Sequence, residues 1–405
     1  MTLRVGVRPC FLPSVKSPLS TIHLLLVLLT FLGARICLKA DPLDNWYVRS
    51  PGNGLDHLYA VAYGNGNFIA VGTSGIKMAS TNGSNWVTGS FGNSAEKNCI
   101  GFGNGYFFTA SKAPGSDTNN TVISTNSSNW MGLFASNYIN SARGAASAGG
   151  TYFLVGSQST IVTATNFNLS CVGSRTNNCN WVRRNSGGNK NLEGIAYGNG
   201  VYVVVGDDVA LTSTNSVTWS TNIVFTPGAF KVAFGNGVFV AVGWSGSIYL
   251  SSNGVSWSKQ VFGADNLQAV TFANGTFVVV GNSGKILSSL DGVVWQQRTN
   301  SISDALTGIT FGNGTFVACS IQGGLFQSAP VGIPSLTASG APNGVGINLA
   351  MSGEIGRGYR IQARTNLAEG DWEDFLSFTN TGPVMEFLDT SVTNLPSRFY
   401  RAVSP

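Results

Sequence analysis

A single unit recurs through residues 44–328: an apolar run, Gly-Asn-Gly, Phe/Tyr-Val-x-Val-Gly, a short turn, Ile-x-x-Ser, Asn-Gly, then Trp. The clearest copy runs from Val232 through Gly235-Asn236-Gly237 to Gly243, and continues from Ile248 through Asn253-Gly254 to Trp257. The first turn recurs at Asn65, Asn104, Gly149, Asn199, Asn236, Asn274 and Asn313. The tryptophans fall at Trp46, Trp86, Trp130, Trp181, Trp219, Trp257 and Trp295. The apolar runs are short, β-branched and aromatic, which suits strands. Asn-Gly between two such runs is a two-residue hairpin signal, because both turn positions need positive φ. With the second Asn-Gly (Asn82-Gly83, Asn253-Gly254 or Asp291-Gly292) as another turn, each unit supplies four antiparallel strands.

The phase of the repeats decides how they assemble. The chain opens on a lone Trp strand, Asn45 to Arg49, and the last repeat, Leu306 to Ser328, has no Trp strand of its own. The first fragment supplies what the last lacks. This predicts an all-β fold: a seven-bladed β-propeller over 41–328, closed by its N-terminal strand so that no sheet edge is left open. In the first strand of each unit one phase is small (Ala60, Cys99, Gly144, Gly194, Ala269, Gly308) and the other is large (Val61, Ile100, Ile195, Val232, Val270, Ile309). A small face against a large one lets twisted sheets stack around an axis.

Residues 1–40 hold five basic residues, no acid, and the apolar run Ile22 to Ala34. That run is shorter than the ~20 residues of a comfortable membrane span. It reads as a signal peptide, with an uncleaved N-terminal anchor as the alternative, predicting an exported body with no later membrane span. The net charge of +5 comes from this segment. The neutral remainder argues against nucleic acid as a partner. His57 is the only histidine after residue 40, which excludes multi-histidine metal sites; no metal and no cofactor are expected.

The unit resembles the bacterial neuraminidase repeat, with its Asp-box turn, of sialidase-like propellers. Ser288-Ser289-Leu290-Asp291-Gly292-Val293-Val294-Trp295 is the nearest match, while Ser80 to Trp86 and Ser251 to Trp257 are one residue shorter and use Asn. The resemblance implies architecture more than activity, because the box is a structural turn. The family's hydrolases carry an arginine cluster, an acidic acid/base and a Tyr–Glu nucleophile pair, and these do not map here. Glu96 and Glu193 are the only Glu of the propeller, and its arginines (Arg49, Arg143, Arg175, Arg183, Arg184, Arg298) do not share one repeat phase.

The repeat stops after Ser328; 329–334 reads as a linker and 335–405 as a small antiparallel β-sandwich-like domain. Tyr359-Arg360-Ile361, Thr365-Asn366-Leu367, Trp372 and Phe399-Tyr400-Arg401-Ala402 are similar to a C-terminal module of secreted proteins in some environmental bacteria. Cys171 and Cys179 lie in a long insertion in the third blade, where an exported loop suits a disulfide. Cys99 and Cys319 read as inert packing residues.

In a propeller, the loops leading into the first strands share a face with the turns between strands two and three. The lead-in position carries Tyr59, Asn98, Arg143, Glu193, Phe230, Gln268 and Thr307, a mixed polar ring beside the channel. Lys231 breaks the small phase next to it, and the turns add Asp207, Asp208 and Trp244. An exposed Trp beside acids and amides can stack on a sugar ring. The candidate ligand site is therefore Arg143, Glu193, Asp207, Asp208, Lys231 and Trp244. No catalytic constellation stands out: Asp207 and Asp208 are adjacent on a short turn, and a serine triad has only His57 to draw on. The expectation is an exported, monomeric, non-catalytic propeller binding a carbohydrate or protein partner on one ring face. Two alternatives stand: a divergent glycan hydrolase or lyase, and a scaffold for assembling an envelope complex, resembling propeller assembly factors with similar repeats.

Overall fold

The computed structural model describes residues 41–405 apart from 93, 112–120, 134–140, 168–179, 224, 332–334, 341–345, 354–357, 366–371, 382–383, 392–397 and 404–405. The expected signal peptide and the Cys171–Cys179 bridge lie outside the described residues. So does most of the expected linker.

The described chain is all-β, with a few short 3-10 turns. Between Trp46 and Ser328 it forms seven four-stranded antiparallel sheets. They are numbered here by their first strands: Leu58–Gly64, Lys97–Gly103, Ala142–Ala148, Leu192–Gly198, Ala229–Gly235, Leu267–Ala273 and Leu306–Gly312. In sheets one to six the four strands follow in chain order. In sheet seven the fourth place is taken by Trp46–Ser50, which pairs antiparallel with Leu325–Ser328 (Trp46 opposite Ser328, Tyr47 opposite Gln327).

Apolar side chains collect between successive sheets. Val240 and Val242 of sheet five join Val270, Phe277 and Val279 of sheet six in one buried cluster. Similar clusters join each sheet to the next, and one joins Val317, Cys319 and Leu325 of sheet seven to Val61, Phe68 and Ala70 of sheet one. The small phase of the first strands makes this contact close. A Cβ placed on Gly194 would lie 2.9 Å from the Lys231 Cα, so backbone meets backbone there. Burying one aromatic ring of such a cluster contributes roughly 1.5–3 kcal/mol.

The first turn is the expected hairpin: Asn236 has φ 46° and Gly237 φ 80°, and the other Asn-Gly pairs follow suit. Asn65, Asn104, Asn199, Asn236 and Asn313 also reach the next sheet. Asn65 Nδ2 donates to the carbonyls of Gly105 and Thr125, and Asn313 Nδ2 of sheet seven donates to Thr81 of sheet one. The second Asn-Gly differs from the first, because only the glycine takes positive φ. There the side chain holds the loop: Asn253 Oδ1 accepts the N–H groups of Val255 and Ser256, and Trp257 Nε1 donates to the Gly254 carbonyl. Asp291 does the same in sheet six. Burial alone would raise its pKa, but bonds from the Val294 and Val293 N–H groups and the Ser289 hydroxyl outweigh it and hold the carboxyl below its ordinary value.

Beyond residue 334 the described strands form two three-stranded antiparallel sheets. One orders Ser335–Gly340, Ile347–Ser352 and Met385–Asp389; the other orders Glu373–Thr379, Gly358–Arg364 and Phe399–Val403. Leu349, Met351, Tyr359 and Ile361 are buried. Arg364 and Arg401 each lie within 4.6 Å of the Trp372 ring centroid.

Candidate functional site

In all seven sheets the ladder between strands one and two slips by one residue near its start. The extra residues are Tyr59, Asn98, Arg143, Glu193, Phe230, Gln268 and Thr307. These are the seven lead-in residues named from the sequence. A bulge leaves its extra residue outside the ladder and re-aims its side chain. All seven line one open pocket of about 380 Å³, together with Lys231, Asn282, Ala305 and Ile321. Below it, the small phase surrounds a narrower space of about 170 Å³ that Lys231 also lines.

Charge is concentrated on one side. Arg143 Nη1 pairs with Glu193 Oε1 at 2.7 Å, and Arg143 Nε donates to Ser157 Oγ at 3.2 Å. Lys231 reaches across from sheet five. Its ammonium donates to the backbone carbonyls of Arg143 (2.9 Å) and Glu193 (2.6 Å), the two bulged residues that form the ion pair. Burial pushes the Lys231 pKa below its ordinary value and nearby Arg143 adds to this, while Glu193 and Cys99 oppose it. Burial, with a hydrogen bond to Glu96, raises Tyr59 to about 12, so its hydroxyl stays protonated.

The neutral members are held as well. Gln268 Nε2 donates to Asn282 Oδ1 at 3.0 Å, and Thr307 Oγ1 donates to the Leu58 carbonyl at 2.7 Å. Among the described residues nothing donates to the buried Asn98 Oδ1. The site can offer a fixed cation–anion pair and amide groups to a polar ligand.

The other candidates fall outside the pocket lining. Asp208 pairs with Lys190 at 2.7 Å, and Asp207 Oδ2 accepts the Asn191 N–H at 3.2 Å. Trp244 is 46% exposed and rests on the Phe230 ring at 4.7 Å between centroids, a step removed from the pocket. Sequence reasoning gave no role to Glu96, Asn282 or Ile321. The bulges themselves were also missed. They become visible only when seven-residue first strands are set against six-residue second strands, as in Leu192–Gly198 beside Val201–Gly206.

No protein-family model matches the chain, and no curated protein matches it significantly. Solved structures do resemble it. A structure of YCF48 bound to D1 peptide is 14% identical, with a TM-score of 0.56 over 73% of this chain and 98% of that one. A catalytically inactive virginiamycin B lyase from Staphylococcus aureus with quinupristin is 11% identical, with a TM-score of 0.58 over 70% and 98%. The WD40 β-propeller domain of Doa1 is 12% identical, with a TM-score of 0.52 over 70% and 96%. The chain therefore has the architecture of a β-propeller. At these identities the likeness concerns fold alone. Among the described residues no helix is long and apolar enough to cross a membrane.

Proposed function

We propose that the seven sheets are the blades of one ring, that the N-terminal strand completes the last blade, and that the ring is an exported, monomeric binding module. Its ligand is a polar partner, protein segment or carbohydrate, received in the mouth framed by the bulged residues. One observation carries this reading: one geometric device, repeated in every blade, aims a different side chain into a common pocket. Packing has no need of that variety, whereas recognition does. The protein-segment form draws support from the propeller YCF48, which holds a peptide. The carbohydrate form draws support from Trp244, whose exposed ring flanks the mouth on Phe230.

The module works without catalysis. Glycoside hydrolysis needs two carboxyl groups across the scissile bond. Among the described residues lining the mouth Glu193 is the one carboxylate, and it is committed to Arg143. Screening the secreted protein on glycan and peptide arrays, beside an Arg143→Ala/Glu193→Gln double variant, tests the reading. Hits that vanish in the variant support it. Hits that persist in the variant, or turnover of a glycoside panel by the native protein, contradict it. A scaffold role in an envelope complex would instead yield one stoichiometric partner whose binding ignores the double variant.

A further inference from the structure

The bulged residues do not act singly. In sheets three, five and six each follows a residue that pairs with the glycine ending strand two: Ala142 with Gly156, Ala229 with Gly243 and Leu267 with Gly281. The bulged side chain then meets that of the residue after the glycine. Arg143 meets Ser157, Phe230 meets Trp244 and Gln268 meets Asn282. Neighbouring sheets five and six thus carry an aromatic pair and an amide pair at equivalent places.

Asn266 joins the two turns. Its Oδ1 accepts the N–H of Ser245, the residue after Trp244, at 3.0 Å, and its backbone carbonyl accepts the Asn282 N–H at 3.0 Å. Trp244 keeps 46% of its surface exposed, and Phe230, on which it rests, lines the mouth. The bond from Gln268 Nε2 to Asn282 Oδ1 uses one amide hydrogen and one carbonyl lone pair. It leaves the Gln268 carbonyl oxygen as an acceptor and the Asn282 amino group as a donor for a ligand. A sugar hydroxyl both donates and accepts, so two neighbouring hydroxyls match that pair.

Charge is directed elsewhere. Among the described residues that sheets six and seven give to the mouth, none is charged. Lys231, though on sheet five, points its ammonium at carbonyls of sheets three and four. Asp265 and Lys285 pair with each other at 2.9 Å.

We propose that sheets five and six hold a subsite for one neutral pyranose unit, and that the ligand of the mouth is a neutral oligosaccharide whose chain runs out over Trp244. The proposal rests on the reading of the mouth as a binding site. The C–H face of the sugar lies on the exposed indole, while its hydroxyls meet the Gln268 carbonyl and the Asn282 amino group. The mouth, about 380 Å³, is near the small end of ligand pockets. A longer chain has to leave it, and Trp244 stands one ring beyond its lining.

Calorimetric titration of the full chain with cellotetraose, mannotetraose, chitotetraose and tetragalacturonate tests the subsite. Expected are saturable binding of at least one neutral sugar, at least tenfold weaker binding of tetragalacturonate, and no weakening by salt. Trp244→Ala loses at least tenfold in affinity. Trp244→Phe recovers most of it but loses the tryptophan fluorescence change that binding produces. Gln268→Leu also loses at least tenfold, and keeps the test standing if Trp244→Ala fails to fold. No saturation by any neutral sugar at concentrations on the order of 10 mM, or equal binding of tetragalacturonate, overturns the proposal. Sugar binding that the Arg143→Ala/Glu193→Gln variant abolishes but Trp244→Ala and Gln268→Leu leave intact overturns the subsite and keeps the mouth. The reverse pattern keeps the subsite and removes the mouth. Trp244-dependent capture of a peptide in place of the sugars would assign the platform to protein and overturn the proposal equally.

Discussion

The two ends of each sheet's first strand follow opposite rules. At the hairpin end the residues barely vary: asparagine and glycine, with positive φ and an amide that bonds the next sheet. At the bulged end the geometry is constant and the residue is never the same twice. Fixed residues at one end tie most sheets to the next. A fixed bulge at the other end frees side-chain identity, because what leaves the ladder no longer has to fit a neighbouring sheet. One exception is informative. Asn274 Nδ2 is buried without an acceptor, and the Gly314 carbonyl of the next sheet instead accepts the N–H of buried Val331. The chain leaving the last sheet takes the bond that the repeat would have used.

Substitutions should separate the ends. The largest loss belongs to Gly235→Val beside the hairpin, since even a Cβ there would overlap the Phe272 ring of the next sheet. Overpacking of this kind costs about 3 kcal/mol, read as a fall in the thermal midpoint. Asn236→Ala removes a residue tolerant of positive φ together with its bond to the Leu290 carbonyl at 2.7 Å. A cost of about 1–2 kcal/mol is expected; Asn236→Gly keeps the turn, loses only the bond, and should recover part of it in denaturant unfolding. At the bulged end, Arg143→Ala with Glu193→Gln breaks a pair whose arginine is 30% exposed. Solvent screening limits the stability change to below about 1 kcal/mol, while ligand binding is lost. If that double variant unfolds as readily as Gly235→Val, the two ends do not differ.

The smallest effect concerns the interior between the ends. Burial raises the Cys99 thiol to about 11 and the Cys319 thiol to about 12. Both should resist a thiol reagent at pH 8 until the protein unfolds. A raised thiol pKa means the native state holds its proton where the unfolded chain releases it. Their contribution to stability is therefore intact below the ordinary value of 9.0 and declines as pH rises through the folded values of about 11 and 12. Alkaline unfolding curves for Cys99→Ala and Cys319→Ala, each flatter than that of the native protein, would show this.

Much of the fold was legible because the repeat prints it. Asn236-Gly237 announces a hairpin through φ alone, and the missing Trp strand after Ser328 points to Trp46. The mouth was half legible. Position along the repeat picked out Arg143, Glu193 and Gln268, but strand register is set by pairing, so the bulge that aims them left no mark in a single strand. Asp207 and Asp208 stand adjacent on a turn in the sequence; in the structure one pairs with Lys190 and the other holds a backbone N–H, partners that adjacency alone does not reveal.

Scanning every residue type at the seven bulged positions and the seven hairpin positions, with folded abundance and ligand capture read separately, sets the two ends against each other. Changes at Glu193 or Gln268 are expected to alter capture while abundance holds, and changes at Asn199 or Asn236 to lower abundance first. Equal losses of abundance at both ends would contradict this difference, and the ring mouth would then be packing rather than a site.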